Sequence, residues 1–348
     1  MKDGAFLLMS IFLILVNYAG KGFCCSKGML TFELCINNKR SKMKKFLLPF
    51  TIAVVILLSV ISCTEQKSEL TEKKGFQFAF ITDIHLQPER HATEGFLQAI
   101  DTINNLNPDF VITGGDLIMD ALGQTYGRAD SLYKLYNETA ANFNIPVYNT
   151  LGNHEIYGIY EKSNADRNHP EFGEKMFEKE IGESYYSFDH KGWHFIILNS
   201  VEETYEGNAY EGFIDPIQMD WLKSDLAKVD LKTPIVISTH IPLSTVFWRI
   251  YDTPNKPNTA SIAVKNTPEL LKLFENYNLK LVLQGHMHII EEVKVNGITF
   301  ITGGAASAAW WTGPYQGFEE GFVLVDVKGD NFSWEYVDYG WEAENEQN

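Results

Sequence analysis

The segment FQFAFITDIH spans residues 76–85 and contains the two features that determine the fold. Its first six residues, 76–81, are mostly apolar and rich in Phe, which is typical of a buried β-strand. The polar side chains of Asp83 and His85 follow at once. In open α/β sheets, functional side chains gather beyond the carboxyl ends of the strands. The segment therefore predicts a strand whose end contributes to a functional site.

Four further blocks of polar residues also come directly after predicted strands. Together the five blocks offer the carboxylates of two aspartates, one amide oxygen and several imidazoles, a mixture of O and N ligands that suits Zn, Fe or Mn. Their glycines let the backbone turn sharply at the end of a strand. We expect the side chains to meet at one centre that holds two metal ions. The blocks are Asp83-Ile84-His85, Gly114-Gly115-Asp116, Gly152-Asn153-His154-Glu155, His240 and Gly285-His286-Met287-His288.

Short β-rich segments alternate with helical segments from Phe76 onward, which is typical of an α/β layered domain. Asp215 and Pro216 favour the start of a helix, because Asp can cap the free N–H groups and Pro suits the first turn. Asn296-Gly297 and Gly329-Asp330 predict the turns of two β-hairpins. The predicted strands are 76–81, 110–113, 147–151, 185–188, 194–198, 235–238 and 279–283, and the predicted helices are 94–105, 129–143, 215–229 and 268–277.

One domain over residues 76–341 accounts for all of these elements, and we expect the acidic residues 342–348 to form a solvated tail. The composition fits a globular domain with a large core, since 45% of the 348 residues are hydrophobic and 21% are charged. It excludes a disordered, collagen-like or coiled-coil chain.

Charge is distributed unevenly along the chain. The first 62 residues hold eight of the 29 Lys/Arg and two of the 45 Asp/Glu, which leaves 21 basic and 43 acidic residues, a net charge of −22, for residues 63–348. Binding to nucleic acid depends on Lys and Arg that replace counterions. We therefore expect no nucleic-acid partner.

Residues 43–62 have the three parts of a secretory signal peptide: basic Lys44-Lys45, an apolar run over 46–60, and small or polar residues before Cys63. The apolar run is too short for a comfortable membrane span. Its end, Val60-Ile61-Ser62-Cys63, resembles the lipobox of bacterial lipoproteins, in which the cysteine becomes the lipidated first residue. We expect a lipid anchor on Cys63, a tether over 63–75 and a location in the cell envelope, facing the periplasm or the cell surface. The alternative is a signal anchor, or an ordinary signal peptide with an incidental cysteine.

Residues 1–42 contain a second apolar run, 6–16, followed by a polar and basic stretch that ends just before Met43. The simplest explanation is that translation starts at Met43 and that residues 1–42 are an over-extended reading frame. The alternative is a membrane hairpin made by the two apolar segments. Neither explanation bears on the fold of residues 76–341.

The five blocks resemble the signature of the calcineurin-like metallophosphoesterase superfamily, which is D-x-H, G-D, G-N-H-[D/E], H and G-H-x-H in that order. They run from residue 83 to residue 288, and a set of this kind is highly specific. The resemblance implies a four-layer αββα sandwich with two metal ions bridged by an aspartate. It implies that Asp83, His85 and His288 hold one metal, that Asn153, His240 and His286 hold the other, and that Asp116 bridges them.

The resemblance also implies hydrolysis of phosphoric esters. Two divalent or trivalent metal ions (Mn, Fe or Zn) can clamp a phosphate and lower the pKa of a bridging water, so that hydroxide becomes the nucleophile. His154 is left without a metal and is expected to act as general acid, or as a stabiliser of the transition state. Glu155 either orients His154 or is a surface carboxylate. The four histidines outside the blocks are expected to be structural or exposed rather than functional. They are His91, His169, His190 and His194, and His91 is the strongest candidate for an exception.

Two differences from purple acid phosphatases narrow the class of substrate. Purple acid phosphatases carry a tyrosine where this chain has Met119 and lack a histidine at the position of His85. The D-x-H block and the compact size resemble cyclic-nucleotide phosphodiesterases and related single-domain phosphoesterases, whereas sphingomyelinase-like enzymes share D-x-H and His240-Ile241-Pro242. We expect a small phosphoester substrate and favour a phosphodiesterase. The alternatives are a phosphomonoesterase that uses the same site and a surface lipoprotein that keeps the fold without activity.

Several aromatic residues follow the blocks on predicted loops. They could stack on a base, a sugar or a lipid headgroup, or they could pack their loops against the sandwich, which we favour. They are Tyr157, Tyr160, Trp248, Tyr251, Trp310, Trp311 and Tyr315.

Overall fold

The computed structural model describes residues 75–204, 210–253 and 255–343. All of them lie within one compact unit of the chain, Glu69–Asn348. The predicted over-extended start, the signal peptide, Cys63, most of the tether and most of the acidic tail lie outside the described residues. Over the described ranges, no helix is both long enough and apolar enough to cross a membrane.

Two β-sheets form the centre of the domain. The first contains β1 (Phe76–Ile81), β2 (Phe110–Thr113), β3 (Val147–Tyr148), β12 (Gly321–Lys328) and β13 (Asn331–Asp338), in the order β13-β12-β1-β2-β3. The second contains β4 (Tyr186–His190), β5 (Trp193–Ile197), β8 (Pro234–Thr239), β9 (Asn278–Gln284), β10 (Ile290–Val295) and β11 (Ile298–Gly303), in the order β10-β11-β9-β8-β5-β4. A separate two-stranded ribbon joins β6 (Val201–Glu203) to β7 (Tyr210–Gly212).

The helices connect neighbouring parallel strands. α1 (Ala92–Leu106) lies between β1 and β2 in the chain, and α2 (Tyr126–Ala140) lies between β2 and β3. In the second sheet, α4 (Pro216–Leu226) precedes β8 and α6 (Thr267–Lys272) precedes β9. Two further short helices are α3 (Lys175–Glu180) and α5 (Phe247–Tyr251).

Alternation of side chains along the strands produces the four layers. Successive residues of a strand point to opposite faces of the sheet, and in β1 both faces are buried. Phe78 belongs to a core cluster made only of strand residues from both sheets, and its ring lies 5.5 Å from that of Phe195 on β5. Ala79 and Ile81 belong to a second cluster, which includes buried residues of α1 such as Phe96. The sheets therefore pack on each other and the helices cover their outer faces, which confirms the predicted α/β sandwich.

The longest predicted elements agree with the structure, and the errors fall at their ends. β1 and β2 have the predicted bounds, both C-terminal hairpins form, and Asp215 accepts hydrogen bonds from the backbone N–H groups of Ile217 and Gln218, as a capping residue should. The strand predicted over 147–151 is limited to two residues, because β3 is the edge strand and the chain then leaves the sheet toward Asn153.

Three predicted helices end early, and one of them is the helix predicted over 129–143, which ends at Ala140. The helix predicted over 268–277 ends at Lys272, because the following residues form tighter turns in which each N–H bonds to the carbonyl three residues earlier. The helix predicted to reach residue 229 ends at Leu226 for the same reason. The segments α3, α5 and the β6–β7 ribbon were not predicted, since each is only three to six residues long.

Candidate metal centre

The predicted site residues follow five strands, which are β1, β2 and β3 in the first sheet and β8 and β9 in the second. Asp83 lies two residues beyond β1 and Asp116 three beyond β2, while His240 directly follows β8 and His286 lies two beyond β9. β1 and β2 are parallel, as are β8 and β9, so the carboxyl ends of each pair share one edge of its sheet. At this edge the structure brings together Asp83, His85, Asp116, Asn153, His154, His240, His286 and His288.

One group of possible metal ligands consists of Asp83, His85 and His288. His288 Nε2 lies 3.3 Å from Asp83 Oδ1 and 3.0 Å from His85 Nε2. One ligand atom from each residue lies within 4.8 Å of the others, and all three residues are buried. This spacing suits three ligands of one ion.

A second group consists of Asp116, His240 and His286, with Asn153 beside it. His240 Nε2 lies 3.2 Å from Asp116 Oδ2 and 3.1 Å from Asn153 Oδ1. His286 Nδ1 lies 3.2 Å from the same His240 nitrogen. Imidazole nitrogens, a carboxylate oxygen and an amide oxygen therefore converge in this second group, where they could hold a second ion.

Asp116 lies between the two groups. Its Oδ2 is 3.2 Å from His240 in the second group and 3.6 Å from His85 in the first. A carboxylate in this position can serve both groups at once. The arrangement therefore offers two neighbouring cation sites that share one residue. A third possible ligand group, formed by His85, Asp116 and His154, overlaps both of them.

Hydrogen bonds to backbone carbonyls fix the tautomers of three of these histidines. A carbonyl oxygen only accepts, so the outward-facing nitrogen of each ring donates a proton to it. In a neutral ring the inward-facing nitrogen then carries a lone pair, and the lone pairs face one another and the carboxylates. This is how histidines are held as metal ligands, and the residues therefore fit a pair of metal ions. The bonds join His240 Nδ1 to Gly114 O (2.8 Å), His286 Nε2 to Ser261 O (2.8 Å) and His288 Nδ1 to Ala308 O (2.5 Å).

The electrostatics of the cluster also favour a cation. Burial opposes ionisation of Asp116, but the charge of His240, its hydrogen bond and the charges of the neighbouring histidines together outweigh burial and hold the pKa of Asp116 well below its usual range. Burial also opposes a charge on His240, yet Asp116 raises the pKa of His240 to about 9. Burial, followed by the charge of His240, lowers the pKa of His286 to about 4. The cluster thus keeps its carboxylates ionised and attracts positive charge.

The backbone is strained at most of the predicted ligands. Five of the seven adopt positive φ angles, a conformation that L-residues rarely adopt and that is common at functional sites. Gly115 also has a positive φ of 90°, and a Cβ at that position would lie 2.7 Å from His240 Nδ1. The strained ligands are Asp83, His85, Asp116, His286 and His288.

His154 lies at the edge of the cluster, and its imidazole is more exposed than those of His85 and His240, which also approach Asp116. Its side chain is 21% exposed, whereas those of His85 and His240 are 1% and 0% exposed. Its Nδ1 donates to the carbonyl of Met119, and its Nε2 lies 3.9 Å from Asp116 Oδ2. His154 is therefore placed to contact both the cluster and a ligand that enters from solvent.

Glu155 is fully buried, so the prediction that it could be a surface carboxylate is wrong. Its Oε2 accepts the backbone N–H groups of Asp116 (2.9 Å) and Gly152 (2.8 Å), and its Oε1 accepts that of Ile118 (3.1 Å). Burial, followed by the charge of Asp116, raises the pKa of Glu155 to about 8. Glu155 thus joins the second and third blocks, and it acts on His154 only through their backbone.

The substitution E155Q is expected to destabilise the fold. At about pH 9, where most of the Glu155 side chain is ionised, an amide NH₂ in place of one carboxylate oxygen would face a backbone donor, leaving a buried N–H group without an acceptor and lowering the free energy of unfolding by about 1–3 kcal/mol. Urea unfolding of the metal-free protein measures this effect apart from metal binding. The exposed Glu161 provides the control E161Q. Equal stability of E155Q and E161Q would show that Glu155 does not join the blocks.

The four remaining histidines lie outside the possible metal-ligand groups found among the described residues. His190 bonds to Asp109 at 3.2 Å, and His194 lies between Asp189 (2.8 Å) and Asp225 (2.9 Å). His169 packs its ring against Tyr126, and the side chain of His91 is 52% exposed.

Five of the seven aromatic residues of the loops divide into two sets. Trp311 is buried, and its Nε1 donates to the carbonyls of Ile84 (2.9 Å) and His85 (3.2 Å), so it packs its loop as predicted. Tyr157 is buried as well. Three others line a cavity beside the cluster: Trp248, Trp310 and Tyr315. Sequence reasoning missed the carbonyls of Ser261 and Ala308, because a backbone acceptor leaves no signal in the residue type.

Comparison with known proteins gives a consistent result. Residues 76–289 match the family model described as calcineurin-like phosphoesterase. The chain is 28% identical over 216 residues to purple acid phosphatase 15 of Arabidopsis thaliana, covering 55% of this chain and 37% of that protein. It is 29% identical over 220 residues to an uncharacterized metallophosphoesterase of Campylobacter jejuni, covering 62% of this chain and 45% of that protein. The chain thus spans less than half the length of either relative.

A solved structure supports the fold. The dimetal phosphatase from Danio rerio matches with a TM-score of 0.52 at 15% sequence identity, covering 76% of this chain and 99% of that chain. At this identity the likeness concerns the sandwich architecture alone.

Proposed function

The chain belongs to the calcineurin-like phosphoesterase family, and we therefore propose that it is a two-metal-dependent hydrolase of phosphoric esters. The observation that carries the proposal is the position of Asp116 between two buried groups of His and carboxylate ligands. Such a pair of sites suits two ions that act on one phosphate.

The proposed ligands follow the two groups. Asp83, His85 and His288 would hold one metal, Asn153, His240 and His286 the other, and Asp116 would bridge them. When bound, the two ions would neutralise charge on the phosphate and lower the pKa of a water molecule. The donor set of imidazoles, carboxylates and one amide suits Mn, Fe or Zn.

We assign to His154 the role of proton donor to the leaving oxygen. Because Nδ1 donates to the carbonyl of Met119, the proton that can be transferred lies on Nε2, which faces the cluster. The backbone N–H of His154 donates to Asp116 Oδ1 at 2.9 Å, which fixes the ring beside the bridging residue. The partial exposure of the side chain allows it to be reprotonated from solvent.

Within this class we favour phosphodiesters. The D-x-H block with His85, and Met119 in place of a tyrosine, resemble single-domain phosphodiesterases more than purple acid phosphatases. Monoester hydrolysis is the second candidate, because purple acid phosphatases are among the relatives by sequence. The excess of acidic residues favours a small phosphoester over nucleic acid as the substrate.

Hydrolysis of two substrates tests the function. The full-length protein loaded with Mn²⁺ is expected to hydrolyse bis-p-nitrophenyl phosphate faster than p-nitrophenyl phosphate, and EDTA should abolish both reactions because the ligands alone provide no Lewis acid. Faster hydrolysis of the monoester would contradict the phosphodiesterase and indicate a phosphatase. Absence of turnover with two metals bound would contradict a hydrolase and favour the binding lipoprotein.

We also propose that the protein is attached to a membrane of the cell envelope by a lipid on Cys63, which precedes the described residues. The substitution C63S is expected to move the protein from the membrane fraction to the soluble fraction, because one acyl-modified cysteine supplies the anchor. Immunoblots of both fractions measure this, with S68A in the tether as the control. If C63S stays with the membrane, an uncleaved apolar segment is the anchor instead.

A further inference from the structure

A small cavity adjoins the candidate metal centre. His286 and His288 form part of its wall, and the cavity has a volume of about 150 Å³. The ring of Trp310, which also lines it, lies 4.5 Å from the ring of His288. A group attached to a phosphate at the centre can therefore extend into the cavity.

The other walls of the cavity are apolar and mostly aromatic. The rings of Trp310 and Tyr315 meet edge to face at 5.9 Å, and Tyr315 also lies 5.8 Å from His288. Edge and face contacts of this kind favour a planar ring over a flexible chain. An apolar cavity of about 150 Å³ is large enough for benzene, that is, for one six-membered ring. The remaining lining residues are Phe247, Trp248, Ile262 and Met287.

Trp248 contributes an unused hydrogen-bond donor. Its Nε1 is buried and has no acceptor among the described residues, whereas the Nε1 of the buried Trp311 is bonded to backbone carbonyls. Buried N–H groups in native proteins nearly always have a partner. Lys256 lies 3.7 Å from the centre of the Trp248 ring and helps to hold it. The missing partner is consistent with an acceptor on a bound molecule.

We propose that this cavity binds the organic group of the phosphoester substrate and that this group is a single planar ring. The inference rests on the proposed function, because the phosphate is taken to lie at the metal centre. It adds a substrate class to that function, namely esters of one-ring aromatic or heteroaromatic alcohols.

Binding of two phosphonates tests the cavity without requiring hydrolysis. Calorimetric titration of the Mn²⁺-loaded full-length protein should show that phenylphosphonate binds about 10- to 100-fold more tightly than methylphosphonate, because only the phenyl group buries apolar area in the cavity. In I262W the larger side chain fills the cavity, and the ratio should fall below about 3. Ile250 is 65% exposed, and the matched control I250W should keep the wild-type ratio.

The possible outcomes separate the two proposals. Equal affinity of the wild-type protein for the two phosphonates would overturn the ring-binding cavity, whether or not the protein hydrolyses esters. An unchanged ratio in I262W would also overturn it. If phenylphosphonate binds more tightly than methylphosphonate and I262W removes this difference, but no ester is hydrolysed, the ring-binding cavity is supported and the proposed hydrolase function is contradicted. The wild-type ratio decides the matter even if I262W does not fold.

Discussion

D116N is expected to lose metal and activity together. Asp116 is the residue that both ligand groups share, with its Oδ2 at 3.2 Å from His240 and 3.6 Å from His85. An asparagine has one acceptor oxygen and no charge, so it cannot balance two cations that are close together. We expect less than one metal ion per chain by elemental analysis and a fall of at least about 10³-fold in hydrolysis of bis-p-nitrophenyl phosphate.

The control for D116N is D220N, which removes an equal charge from an exposed position paired with Lys223. D220N should keep two metal ions and the activity of the wild-type protein. A D116N protein that is folded, holds two ions and hydrolyses the diester at the wild-type rate would exclude Asp116 as the bridge. Circular dichroism of D116N separates loss of metal from loss of fold.

The sequence predicts the buried strands and the polar blocks at their ends, and there is a physical reason for this. Buried strands such as β1 and β2 are short apolar runs, and the polar residues at their ends are conspicuous. Because parallel strands of one sheet end at a common edge, blocks that are far apart in the chain are expected to meet in space. His85 and His288 are 203 residues apart in the chain, yet their Nε2 atoms lie 3.0 Å apart in the structure.

The rest of the site could not be predicted, because it depends on tertiary contacts that residue types do not encode. Trp310 and Trp311 are neighbours with the same side chain, yet one lines the cavity and the other is buried beneath the D-x-H block. Both have positive φ angles, 53° and 69°, so the local path of the loop decides which way each ring turns. Glu155 likewise shows its role only through the three N–H groups that surround it.

H154A is expected to keep both metal ions and lose most of its turnover on substrates with poor leaving groups. His154 belongs to neither proposed ligand group, so elemental analysis should still find two ions per chain. Removing a proton donor costs about 10²- to 10⁴-fold in rate when the leaving oxygen needs the proton. We therefore expect this fall in kcat for a dialkyl phosphodiester and a much smaller fall for bis-p-nitrophenyl phosphate, whose nitrophenolate leaves without a proton.

The difference between the two substrates distinguishes a proton donor from a charge that only stabilises the transition state. A positive charge near the phosphate would assist both esters to a similar extent, so equal losses in H154A would contradict proton donation. The control is H91A, because His91 is exposed and lies outside the cluster. Loss of metal in H154A would instead make His154 a ligand, since its Nε2 lies 3.9 Å from Asp116 Oδ2 and its ring lies 4.6 Å from that of His85.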